Sequence, residues 1–159
     1  MSELIIFLSE DDLLVNYESA PTVDTVFYVQ VNGSCFPDNL WTDFTYPVLC
    51  MWAESLLRNK GRLRTQYDLW FMDGPFRIAV RQNREALFLE GINGRADDRV
   101  EFTFCCTASE LLHELLCAFI KLERIVLTNE NFQNQGIKEH ILNTIYHYKE
   151  KIKNALNSY

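Results

Sequence analysis

The feature that most constrains this chain is a succession of β-type runs joined by very short links. "DLWF" and "FRIAV" meet at Met72-Asp73-Gly74-Pro75, "EALFLEGI" follows after "QNR", and "RVEFTFCC" follows after "NGRADD". Strands connected that tightly are antiparallel neighbours with one apolar face and one wetter face. If Asp73 and Gly74 form the loop, Phe71 faces Phe76, Trp70 faces Arg77, Leu69 faces Ile78 and Tyr67 faces Val80. The opposite face then carries Asp68, Trp70, Arg77 and Arg81, with Trp70 and Arg77 placed for cation–π stacking. Pro75 cannot donate the bond that closes a two-residue loop, so a longer turn or a bulge is expected. Asp73 is accordingly a turn residue: Asp accepts local backbone bonds, Gly takes positive φ, and Pro stops edge pairing. Alternation continues with Leu87 and Leu89 on one side, then with Val100, Phe102 and Phe104 opposed to Glu101 and Thr103.

The flanking segments supply the rest of an α+β domain. Residues 3–8 and 23–31 are rich in β-branched and aromatic side chains and read as strands, with the segment 9–21 between them ambiguous. Residues 43–59 read as a helix, because Val48, Leu49, Trp52, Ala53 and Leu56 share one face. Gly61 caps it, and Arg58 and Lys60 stand at the negative end of its dipole. Thr107 and Glu110 have capping-box spacing ahead of a stripe made of Leu111, Leu112, Leu115, Leu116, Phe119, Ile120 and Val126. A last helix aligns Ile137, Ile141, Ile145, Tyr148, Ile152 and Leu156. The expected architecture is one domain over residues 1–159, an antiparallel β-meander sheet packed against about three α-helices, two of them C-terminal.

Charge is distributed unevenly. Residues 1–57 hold nine acids (Glu3, Glu10, Asp11, Asp12, Glu18, Asp24, Asp38, Asp43, Glu54) and no Lys or Arg, whereas the remainder holds 13 acids and 15 bases. An acidic face of this kind repels nucleic acid and anionic membrane and steers a basic partner toward itself; a second reading is that it only maintains solubility. The first residues lack a basic segment and a long apolar run, which points to a cytoplasmic protein without a membrane span. Five cysteines in no metal or disulfide spacing read as reduced, mostly buried small hydrophobes.

Catalytic signatures are sparse. P-loop, G-x-G-x-x-G, G-x-S-x-G and H-E-x-x-H patterns are absent from the sequence, so the chain reads as a non-enzyme with no cofactor and no metal. His113 and Cys117 are spaced to share a metal with Glu110 one turn earlier, but His113 falls beside the leucine stripe with no second ligand pair and reads as a histidine at the edge of the core or within it. Cys105 and Cys106 point to opposite faces of a strand, and one is a nucleophile only if His113 lies beside it. His140 and His147 share a surface or partner-facing side of the last helix. The doublets Asp11-Asp12 and Asp97-Asp98 read as solvated turn carboxylates, and Trp41, Trp52 and Trp70 as core packing before an aromatic pocket.

The order "LWTDF…PVLCMWAESLL", "DLWFMDGPFRIAV", "LFLEGI", "RVEFTF" and a leucine-rich helix resembles the small cytosolic immunity proteins of bacterial polymorphic-toxin systems. It covers residues 40–127 and rests on Trp41, Asp43, Trp52, Phe71, Asp73, Gly74 and Pro75. The resemblance implies inhibition by binding over the active surface of a toxin, often a nuclease, with no substrate turned over. It assigns no contact residue, so the candidates come from charge: Glu10, Asp11, Asp12, Glu18 and Asp38, in segments read as loops. Trp41 and Tyr17 are the candidate aromatic anchors. The expected partner is a basic protein, with the chain itself a monomer or weak homo-oligomer. Two alternatives stay open: a small ligand-binding domain or enzyme with a pocket between sheet and helices, built around His113 and a cysteine, and a structural subunit of a homo-oligomer.

Overall fold

A computed structural model of the protein describes residues 3–16, 22–130, 132 and 134–159, with backbone alone for residues 10–16. The architecture is α+β, with two C-terminal helices, and its strands part into two antiparallel four-stranded sheets. The first contains β1 (Leu4–Asn16), β2 (Thr22–Val31), β3 (Ser34–Phe36) and β4 (Thr42–Asp43), in which β1, β3 and β4 all pair with β2. Helix α1 (Thr45–Arg58) follows. The second sheet is a meander of β5 (Thr65–Trp70), β6 (Phe76–Asn83), β7 (Ala86–Asn93) and β8 (Arg99–Thr107). It leads directly into α2 (Ala108–Thr128) and then α3 (Gln135–Leu156). The early strands do not extend the meander because α1 intervenes and packs against both β2 and β5.

Local patterns are realised closely. The α1 stripe Val48, Leu49, Trp52, Ala53 and Leu56 is buried, with Phe27 and Phe71 set 5.4 and 5.2 Å from the Trp52 ring. Gly61 lies past the helix end at φ +73°. Lys60 serves a different helix from the one expected: its Nζ donates to the Ala155 carbonyl at the end of α3, 3.0 Å away. The β5–β6 register pairs Trp70 with Arg77, Leu69 with Ile78 and Tyr67 with Val80, and Arg77 stacks 5.4 Å from the Trp70 ring. As Pro75 demands, the turn is longer than two residues. Met72 to Pro75 form it, closed by Phe71 N–H donating to the Phe76 carbonyl at 3.0 Å.

The meander ends on an edge strand. β8 is half-exposed along its length and Val100 is 45% exposed, so its expected apolar face is only partly covered. The β7–β8 register passes from Gly91 opposite Phe102 to Ile92 opposite Val100, leaving Glu101 bulged. The Phe102 ring lies directly on Gly91, where a Cβ would approach to 2.3 Å. Beyond β8 the capping box forms in full, Thr107 Oγ1 accepting from Glu110 N–H and Glu110 Oε2 accepting from Thr107 N–H. Leu112, Leu115, Phe119, Ile141, Ile145 and Ile152 are fully buried, whereas Ile120 departs from the expected stripe and is exposed. Among the described residues, no helix is long and apolar enough to cross a membrane.

Candidate functional site

The residues that carry the resemblance meet at the tip of the β5–β6 hairpin. Asp43, 3% exposed at the end of β4, accepts four hydrogen bonds. The donors are Trp41 Nε1 at 2.9 Å, Phe44 N–H at 2.7 Å, Met72 N–H at 3.1 Å and Asp73 N–H at 3.3 Å. One buried carboxylate therefore binds the hairpin turn of the second sheet to the edge of the first. Trp52 Nε1 adds a bond to the Trp70 carbonyl at 2.8 Å. Gly74 takes φ +120°, and a Cβ there would stand 3.1 Å from the Trp41 ring and 3.3 Å from the Arg95 guanidinium. Asp73 thus contributes its backbone N–H to the turn, and its carboxylate remains exposed.

The same junction gathers negative charge. β2 pairs Thr25 with Asp43, so Asp24 lies one residue from the clamp. Burial raises the Asp24 carboxyl above its ordinary range, and the charges of Asp43 and Asp73 raise it further. Asp24 Oδ1 is buried with no hydrogen-bond partner among the described residues. On the other side of β2, the register passes from Ser9 opposite Val26 to Leu14 opposite Asp24. Four residues of β1, Glu10 to Leu13, therefore stand against Thr25 alone. Glu10, Asp11 and Asp12 were expected in a loop; they lie within β1, bulged out of its ladder, because extra residues in one strand can be absorbed only by leaving the pairing.

The remaining expected contacts divide. Asp38 is exposed, and its Oδ1 accepts from Leu40 N–H at 2.8 Å, a turn bond that leaves Leu40 76% exposed. Trp41 is half-buried and already engaged, edge-on to Phe76 at 5.0 Å with Arg95 over its ring at 5.7 Å. Tyr17 and Glu18 lie outside the described residues. Sequence reasoning missed Asp24, Asp73 and the exposed apolar side chains Met72 and Trp70, at 47% and 45%. The signal available for the last two was their position flanking a turn. Among the described residues, no ion pair reaches Asp24, Asp38, Asp43 or Asp73.

A cleft of about 820 Å³ lies elsewhere, between the start of β1, the end of β8 and the first turns of α2. Glu3, Glu110, His113, Glu114, Cys105 and Cys106 are on its walls, without a lysine or arginine. Glu114 Oε2 accepts from Ile6 N–H at 3.3 Å and so satisfies part of the free β1 edge. Burial pushes the Cys106 thiol up to about 12, which keeps it protonated at neutral pH. His113 is exposed, with Nδ1 3.9 Å from Cys117 Sγ. The described residues contain no group of three His, Cys, Asp or Glu able to hold a metal ion. All five cysteines are free; Cys105 is exposed and the other four half-buried, less enclosed than their composition suggested. His140 and His147 are exposed on α3, and none of Trp41, Trp52 and Trp70 lines the 820 Å³ cleft.

Comparison with protein-family models, with curated proteins and with solved structures finds no match for this chain.

Proposed function

We propose that this protein is a cytoplasmic binding inhibitor of the immunity type, which neutralises a basic toxin, a nuclease by chemistry, by laying its acidic end over the partner's phosphate-binding groove. The observation that supports this most strongly is the crowding of the Asp43 and Asp73 carboxylates around the half-buried Asp24, whose carboxyl is raised by burial first and by those two charges after it. Like charges held together in a folded protein oppose folding, and a cationic surface docked on them relieves that opposition. Carboxylates so placed occupy the positions of nucleic-acid phosphates and speed association. Exposed Asp38 adds to this acidic end, and the sequence candidates Glu10, Asp11, Asp12 and Glu18 remain part of the proposal on charge alone. Leu40, Met72 and Trp70 supply its apolar centre in place of Trp41, whose ring is committed internally, and Tyr17 remains a candidate anchor.

The test is affinity capture from the source cell's lysate with low-salt and high-salt washes, followed by assay of the captured protein for nucleic-acid cleavage. The expected result is one basic protein, retained at low salt and released at high salt, whose cleavage activity is inhibited by the added chain. Retention of nothing specific, or of an acidic protein, contradicts the proposal. A second reading, a small-ligand pocket, is favoured by the size of the β1–β8–α2 cleft; its ligand is a cation, given three glutamates and no lysine or arginine on the walls.

A further inference from the structure

The opposite end of the second sheet carries the opposite charge. β5 and β6 run from the hairpin tip for roughly 20 Å to the loop after α1 and the β6–β7 turn. There Arg84 N–H donates to the Arg62 carbonyl at 3.1 Å and ties the two connections together. A groove of about 560 Å³ opens on the outer sheet face at this end, lined by Arg64, Gln66, Arg81, Asn83 and Phe88 among others, with no acidic residue in its lining. Arg62, Arg64, Arg81 and Arg84 are all exposed. Among the described residues, Arg62, Arg64 and Arg84 enter no ion pair.

Arg81 is held in place before any ligand arrives. Its guanidinium lies 4.4 Å over the Phe88 ring and 3.5 Å from Glu90. A fork oriented in this way loses little freedom when it binds a phosphate bidentately. Arg64 and Arg84 both occupy the left-handed region, at φ +48° and +58°. Glycine or asparagine suits such turn positions, so the two arginines stand there at a backbone penalty.

We propose that this groove is a binding site for a nucleotide-sized phosphate ester, its phosphate held by Arg64 and Arg81, with Arg84 adding positive charge from the adjoining β6–β7 turn, and its base on the sheet face beside Gln66 and Asn83. The volume suits a small ligand. A polymer of phosphates is disfavoured, because the chain carries a net charge of −7 that repels extended polyanions. The site is independent of the acidic end.

The test uses adenosine monophosphate as probe, with inorganic phosphate, adenosine and a ten-nucleotide single strand of thymidylate as comparison arms, followed by amide chemical shifts and calorimetry. The expected result is saturable binding of the monophosphate, weaker binding of phosphate and none of adenosine, with shifts confined to residues 62–66, 81–88 and 105–106. Arg64→Gly with Arg84→Gly removes two cations while relieving both positive-φ positions, so loss of fold is not expected. That variant should weaken the monophosphate at least tenfold and flatten the salt dependence. Failure of the monophosphate to bind at millimolar concentration, or unchanged affinity in the variant, overturns the proposal. So does a strand that binds far more tightly than the monophosphate at these residues, since it would identify a nucleic-acid surface.

Discussion

The two ends of the β5–β6 hairpin hold their charges in different ways. At the tip, backbone N–H groups and an indole converge on the buried Asp43 carboxylate, so the charge is part of the framework and its neighbours Asp24 and Asp73 are left to repel it. At the far end, Arg64 and Arg84 stand out from turns with no ion pair among the described residues, while Arg81 on β6 lies over the Phe88 ring beside Glu90. A residue's importance for folding and its availability to a partner are therefore separable here. Asp43 serves the first, Asp73 and Arg64 the second.

The sharpest way to break that comparison is to remove the clamp. Asp43→Ala leaves four donors unsatisfied in a buried site and should lower unfolding free energy by about 3–5 kcal/mol in urea denaturation; a loss under about 1 kcal/mol would place the two ends on the same footing. Next in size is a pair of backbone tests. Gly74→Ala combines φ +120° with a close approach to Trp41 and should destabilise by about 1–3 kcal/mol, whereas Arg64→Gly at the other end should leave stability level or raise it. Thermal midpoints of the two variants moving in the same direction would contradict this assignment.

The smallest effect is the most specific. The folded-state carboxyl of Asp24 is raised, so protonation favours the folded form. Below the unfolded-state value of 3.8 the group is protonated in both states and contributes nothing; as pH rises past it, ionisation opposes folding, and this penalty is complete above the folded-state value. Asp24→Asn should therefore stabilise the protein at pH 7 by about 0.5–1 kcal/mol and make no difference near pH 3. A variant less stable than the wild type at pH 7 would show that Asp24 is compensated.

Sequence pattern exposed what is local. The α1 stripe, the capping box at Thr107 and the hairpin register follow from neighbours within a few positions, and even the failure of a two-residue turn was legible in Pro75. The division into two sheets was not, because it depends on where α1 docks between β2 and β5. The same distinction governs the site. Nine acids without a base in residues 1–57 are legible in the sequence as an excess of negative charge. The crowding of Asp24, Asp43 and Asp73 required β2–β4 pairing and the Asp43 clamp, contacts between segments far apart in sequence. Turn chemistry also accounted for the place of Asp73 in the turn, but not for the action of its exposed charge on Asp24 in the other sheet.

The most direct measurement compares capture of the proposed basic partner by three forms of the chain at low salt. They are the wild type, an acidic-end variant carrying Asp11→Asn, Asp12→Asn, Asp38→Asn and Asp73→Asn, and the Arg64→Gly/Arg84→Gly variant as a folded control. Asparagine retains the turn bond that Asp38 Oδ1 accepts, and the exposed Asp73 side chain enters the turn only through its backbone N–H, so the first variant should lose charge without losing shape. The account predicts that wild type and control retain the same protein while the acidic-end variant loses it. Equal retention by all three, with the acidic-end variant folded, would contradict the assignment of partner binding to the acidic end.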